Sequence, residues 1–472
     1  MGEGVEIAQL EHQLEHQLPL GNPDDTGDYA PAEIQKEVQH LEDPDWIRAQ
    51  KKYLRKLDFI ILPTISSFYF FEYLDRGNIA NAKLLGLDQG RDTATGGVGV
   101  GKTPLNSTQW QLVIMIFYVG LVLFQVLGCI GEWAALLLLF AMLITTQDTV
   151  SSLLPNGLRL VYAGGAFAFG GLLAFGIGHI KSYVPSWKFV FLIEALPCFF
   201  LGLFALYWLP DRPLKNSRFK ELDKEIAGAR YYSETFDKAS KIQKKHVIWT
   251  IRDWRLYAQA AVYLPTAALL SSISGFLPTI ISGLGYKEPT KANLMTVPPY
   301  ACAFVLMFLV SWSSDRHKDR GIHITVLMVI AAVIYALLAT LPESNLNGKY
   351  ACMCIAVSCV YATYPPTHAW AANNFGNETK RAIGMGLYTA IGNLGSIAGT
   401  WIYPSTDAPQ FQKGHFICMG LAIATAVLAL ANNLVLAAIN RSRDKKYGKP
   451  VPGASVDVTE LADDSPHFRF FT

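Results

Sequence analysis

GMGLYTAIGNLGSIAGTW, residues 384–401, is an apolar run with five glycines in it, long enough to cross a bilayer. Small residues in a membrane helix let its neighbours approach closely and move against it. A second run of the same kind, YAGGAFAFGGLLAFGIG, occupies residues 162–178. Ordinary small-residue packing explains either run alone. It does not explain why each is the next-to-last span of its own half of the chain. Matching positions point to internal repetition, the pattern of a secondary transporter built from two helical bundles.

The composition agrees. Of 472 residues, 51% are hydrophobic and only 17% charged, where a soluble domain carries about 25% charged residues. The apolar residues fall in long runs, and lipid cannot satisfy exposed backbone polar groups, so such runs read as membrane-spanning helices. A net charge of +2 implies neither an acidic nor a basic partner, and no nucleic acid is expected. The expected fold class is an all-α polytopic membrane protein.

Spans are predicted near 57–76, 111–130, 161–180 and 188–209, and then near 257–283, 296–312, 323–341, 350–370, 383–403 and 415–438. The organisation follows: a polar tail over 1–56, an N-terminal membrane bundle over 57–209, a basic linker over 210–256, a C-terminal bundle over 257–440 and a tail over 441–472. Lys51, Lys52, Arg55 and Lys56 precede the first span, and SWSSDRHKDRG (311–321), NETKR (377–381) and RSRDKK (441–446) are basic loops. By the excess of positive charge on the inner side, these loops, the linker and both termini are expected in the cytoplasm. The stretch FKELDKEIAGARYY (219–232) reads as an amphipathic surface helix or a solvated one.

GGVGVGKT (96–103) fits the phosphate-loop pattern without a mismatch. The chemistry behind that pattern needs a buried strand entering the loop and a helix leaving it. Here DQGRDTAT precedes the loop, Pro104 follows at once, and the segment lies between the first two spans on the side away from the basic loops. It is expected to be a flexible outer loop, and no nucleotide is expected. Asn106 in Asn106-Ser107-Thr108 is a glycosylation acceptor on that same outer side.

No cofactor or metal is expected either. The seven cysteines sit in or beside apolar runs without zinc-ligand spacing and read as small buried hydrophobes. His12 and His16, one helical turn apart in the polar tail, read as solvated. Nothing pairs a nucleophile with a base, so the chain is not expected to be an enzyme.

LDRGNIANAK (74–83), WKFVFLIEALP (187–197), DWRLYAQA (253–260) and above all WAANNFGNETKRAIGMGLYTAIGNLGSIAGTWIYPSTDAPQFQKGH (370–415) resemble the major facilitator superfamily. The likeness is to the fungal allantoate-permease-like branch of the anion:cation symporters. It implies two pseudo-symmetric bundles of six spans each. It further implies proton-coupled movement of a small organic anion, in the class of allantoate or vitamin-like carboxylates, by alternating access. The N-terminal half departs from that pattern, because its stretch between the second and fifth family spans is compressed and residues 131–160 leave room for no complete set. A shortened transporter and a truncated splice or gene product both fit this gap. A transport-inactive or receptor-like protein and a metabolite exporter are the alternative functions. The plasma membrane is the expected location, with the vacuolar membrane as the alternative.

Charges inside a membrane are costly and therefore candidates for function. Glu72, Asp75 and Arg76 share a helix face with Asn78 nearby. A carboxylate there would couple protons, with Arg76 facing the anion. In the second half His368, Trp370, Asn373, Asn374 and Asn393 gather around the Pro365-Pro366 break and are candidates for polar solute contacts. Asp315 and Arg316 are expected to latch the inner face as gating residues.

Overall fold

A computed structural model describes residues 106–130, 169–180, 185–208, 244–286, 288–342, 344–449 and 461–472, with parts of 46–56, 67–87 and 220–226. Every regular element among the described residues is helical. In chain order these are α1 Ser107–Ile130, α2 Ser186–Trp208, α3 Lys244–Arg252, α4 Trp254–Gly283 and α5 Pro289–Leu294. There follow α6 Val297–His317, α7 Gly321–Thr340, α8 Leu346–Asn373, α9 Glu378–Gly399 and α10 Gln412–Tyr447. Residues 77–84 and 169–177 are helical too. All six spans predicted after the linker coincide with long helices, α4 and α6 to α10.

Short polar side chains start these helices. Asn106 and Gln109 form a reciprocal capping box before α1: the Gln109 N–H donates to Asn106 Oδ1 at 2.8 Å, and the Asn106 N–H to Gln109 Oε1 at 3.0 Å. Asp253 caps α4, Asn345 caps α8 and Asn377 caps α9, each accepting from a first-turn N–H. Lys318, at φ 53°, ends α6 in a left-handed turn.

Polarity and burial separate the helices. α4 is 83% buried along its apolar window, against 44% for α7 and 39% for α10. The exposed side chains of α7 and α10, among them Val326, Val333, Val427 and Leu434, form a surface suited to lipid. α8 runs through the middle, and every residue from Ala356 to Ala372 is buried. That is where a membrane helix can carry Thr363, Thr367 and His368, since the bundle rather than lipid surrounds them.

Three glycines of 384–401 form the seam between α9 and α4. A methyl group on Gly392 would strike the Tyr263 ring, one on Gly395 the Leu264 carbonyl, and one on Gly399 Ser271 and the Ala268 carbonyl. With the backbones this close, the Ser271 hydroxyl donates to the Ser396 carbonyl at 3.0 Å, and Ser396 to the Ala267 carbonyl at 3.3 Å. Two glycines of the first-half run lie between the halves. Gly171 lies against Thr296 and the Asn293 carbonyl, and Gly178 against Thr290.

The described contacts between halves cluster towards one end. α4 leaves the linker at Trp254, and α1 runs the opposite way. Far from the linker, the Ser405 N–H donates to Ser107 Oγ at 3.1 Å. Lys83 lies over the ring of Phe276. Nearer the middle, Tyr118 and Ser274 share a hydrogen bond of 3.4 Å. Among the described residues the two halves are thus joined at the end away from the linker.

Two segments read as polar appendages pack into the protein. The linker ends in α3, which buries His246 and Thr250 and packs on α9. Residues 461–472 fold back onto the linker-side ends of the second-half helices, with Asp463 and Phe470 buried.

Candidate functional site

His368 sits in α8 inside a box of aromatic rings drawn from three helices. Ring centroids lie 4.2 Å away for Tyr364, 4.6 Å for Tyr263 of α4 and 5.4 Å for Tyr388 of α9. Tyr263 and Tyr388 stack at 5.1 Å, and the Tyr263 hydroxyl donates to Asn393 Oδ1 at 3.1 Å. The box owes its shape to Gly392, whose missing side chain is the space Tyr263 fills. His368 Nδ1–H donates to the Tyr364 carbonyl at 3.3 Å. That leaves Nε2 as the acceptor of the neutral ring, buried and without a hydrogen-bond partner among the described residues. Such an atom takes a proton or a hydrogen bond from a solute.

A second constellation lies at the linker-side ends of α4, α8, α9 and α10. Lys380, 3% exposed, donates to Asp253 at 2.6 Å and also pairs with Asp463. Arg255 reaches Asp253 at 2.8 Å, Asp464 at 2.9 Å and Asp463 at 3.0 Å. Burial pushes the Asp253 carboxyl up, but hydrogen bonds from Arg255 and Lys380 outweigh it and hold the group below the usual carboxylate range. Phe470 then lies between the guanidinium groups of Arg255 and Arg443, at 5.0 and 4.9 Å. The backbone of Phe471 is gripped by Trp370 and Asn374, and the Arg320 N–H donates to the Thr472 carbonyl at 2.6 Å.

A family model described as Major Facilitator Superfamily matches residues 110–400. The MFS transporter prlL of Fungal sp. (strain NRRL 50135) is 30% identical over 465 aligned residues, covering 88% of this chain and 92% of that one. The chain belongs to the Major Facilitator Superfamily. Another superfamily relative, the high-affinity nicotinic acid transporter of Saccharomyces cerevisiae, is 24% identical, covering 89% of this chain and 85% of that one. The xylose transporter XylE of E. coli, in a partially occluded inward-open conformation, shares the fold at a TM-score of 0.54 and 12% identity, over 79% of this chain and 97% of that one. This superfamily chain is therefore a multi-pass membrane protein and a secondary transporter, not an enzyme. The alignment with the prlL transporter is longer than the stretch of this chain it covers, so that relative has residues with no counterpart here.

Within the superfamily fold the expected site residues part company. His368 and Asn393 meet through Tyr263. Trp370 and Asn374 do not join them. Trp370 is two residues past His368, on another side of the helix, and Asn374 lies beyond the helix end, so both hold Phe471 instead. Asn373 is the half-buried last residue of α8. Asn78 is fully buried in the helix at 77–84. Glu72, Asp75, Arg76, the GGVGVGKT loop and the His12/His16 pair lie outside the described residues. Asn106 is exposed at the far end, its Oδ1 committed to the α1 cap. Asp315 pairs with Arg320 at 3.0 Å rather than with Arg316, which is exposed.

Sequence reading missed three tyrosines and a lysine. Tyr263, Tyr364 and Tyr388 look like ordinary apolar residues until the helices are assembled. Lys83, half-buried, lies 5.0 Å from the Trp110 ring centroid and 5.6 Å from that of Phe276, bridging the two halves. Lys83 lies past the predicted end of the first span at residue 76, so hydropathy did not single it out.

Proposed function

We propose that this protein moves a small organic anion together with protons by alternating access, in the manner of the allantoate-permease-like branch. The reading rests chiefly on His368, a titratable ring whose Nε2 has no hydrogen-bond partner among the described residues, inside a box of Tyr263, Tyr364 and Tyr388. Stacked rings suit a flat carboxylic acid, and Asn393 supplies a polar edge. Lys83 adds a cation between Trp110 and Phe276 at the junction of the halves. The nicotinic acid carrier among the relatives is consistent with a planar acid as cargo. Glu72 or Asp75 serves as the proton-coupling carboxylate, and Arg76 as a partner of the anion.

Positive loops put the linker and both tails in the cytoplasm of a plasma-membrane protein. The halves then meet on the outer side, and the described conformation is the one that releases cargo inwards.

Uptake of labelled allantoate, nicotinate and pantothenate at pH 5 and pH 7, in permease-deficient yeast with the protein confirmed at the surface, tests the reading. Acid-stimulated uptake of one acid is expected, lost in Lys83→Met and altered in pH dependence by His368→Gln. Uptake equal at both pH values would remove proton coupling. No uptake of any acid would remove the substrate class.

A further inference from the structure

Across the junction of α3 and α4, Ile248, Ile251, Trp254 and Tyr257 recur every third residue and are 46–52% exposed. The opposite face of the same stretch, His246, Thr250 and Asp253, is buried. In a membrane protein an exposed apolar stripe closing on Trp and Tyr marks the level of the lipid headgroups. Such a stripe suits a segment seated at the bilayer surface just before α4 begins.

Beside this stripe opens a cavity of about 500 Å³, with Trp249 and Trp254 on its wall. Four cations line it, Arg252, Arg255, Lys380 and Arg443, against the two carboxylates Asp253 and Asp464. α4 and α9 both begin here, and their N-terminal ends add further positive potential. The inner cations are already engaged, Lys380 with Asp253 and Asp463, and Arg255 with all three aspartates. The outer two are not so matched. Arg252 is exposed and has no ion-pair partner among the described residues. Arg443 has only Asp464, at 4.0 Å, while its Nη1–H donates to the Phe468 carbonyl at 2.8 Å.

We infer that this cavity is a binding site for the phosphate headgroup of an anionic membrane lipid, held by Arg252 and Arg443. Basic pockets at the inner surface, between membrane helices, are suited to such headgroups. A lipid is favoured over a soluble phosphate because Trp254 belongs both to the cavity wall and to the lipid-level stripe. Asp464, 57% exposed on the rim, is the internal group a headgroup would displace from Arg443.

Native mass spectrometry of the full-length purified protein tests the site, with dioleoyl phosphatidylserine and dioleoyl phosphatidylcholine as probes. Phosphatidylserine should be retained at several times the occupancy of phosphatidylcholine. Arg252→Gln should lower that retention roughly tenfold, the effect of losing one charge-assisted hydrogen bond, and Arg443→Gln similarly. Arg252 makes no ion pair among the described residues, so its variant tests the site even if Arg443→Gln unfolds. Lys413→Gln, at the opposite end of α10, should leave retention unchanged. Equal retention of the two lipids, or retention untouched by Arg252→Gln, overturns the site. Full competition by glycerophosphoserine at equal concentration overturns the lipid as its occupant and assigns the site to a soluble phosphate.

Discussion

The side-chain amide of Asn374 grips the backbone of Phe471 on both sides, its Nδ2–H donating to the Phe471 carbonyl at 3.1 Å and its Oδ1 accepting the Phe471 N–H at 2.8 Å. One amide thereby satisfies both polar groups of a residue 97 positions away. Without it, the Phe471 carbonyl would keep only the Trp370 indole N–H, and the Phe471 N–H would need water in a place lined by protein.

Asn374→Ala should free residues 461–472. Two neutral hydrogen bonds are worth about 2 kcal/mol together, roughly a thirtyfold change in the ratio of docked to free segment. Tryptic cleavage after Arg469 in the full-length protein should speed up accordingly. An unchanged rate would mean that the charge cluster and the remaining bonds from Trp370, Arg320 and Asn440 hold the segment without Asn374.

Lys380→Met should be among the most damaging single changes at the linker side. It leaves Asp253 and Asp463 buried beside each other with only Arg255 between them, and breaking a buried pair in this way costs about 3–5 kcal/mol. Lys291→Met, which removes the exposed pair with Glu288, should leave thermal stability unchanged. Melting curves of the two purified variants make the comparison.

Gly392→Ala should separate α9 from α4. The added methyl meets the Tyr263 ring, and overpacking of this kind costs about 1–3 kcal/mol. Moving Tyr263 also breaks its bond to Asn393, so transport should fall more than stability does. Gly202→Ala, where nothing lies within 4 Å, is expected to be neutral in both assays.

Arg320→Gln and Arg316→Gln should differ sharply. Arg320 is 5% exposed, pairs with Asp315 and lies 5.8 Å from the Phe471 ring, so its loss should cost about 1.5–3 kcal/mol, the worth of a hydrogen bond to a charged group. Arg316 is exposed and should be replaceable without a shift in melting temperature. Equal shifts in melting temperature would mean that Arg320 contributes no more to the fold than the exposed Arg316.

Hydropathy is a local property, and what depended on it was legible in the chain. Each span adds up transfer free energies residue by residue, so the membrane class, the positions of α4 and α6 to α10, and the need for close packing at 384–401 could be read directly. His368 and Asn393 were legible as polar groups inside spans, because their cost in lipid does not depend on who their neighbours are.

Partnership is not local, and only the tertiary structure decided it. Tyr263, Tyr364 and Tyr388 became a box around His368 because Gly392 lets two helices touch. Asp315 took Arg320 over Arg316 because a left-handed turn at Lys318 brings Arg320 back toward α6. Trp370 and Asn374 were given to the chain's own 461–472 segment rather than to a solute. Contacts between residues a hundred positions apart follow from how the helices are arranged, and no single stretch of sequence carries that arrangement.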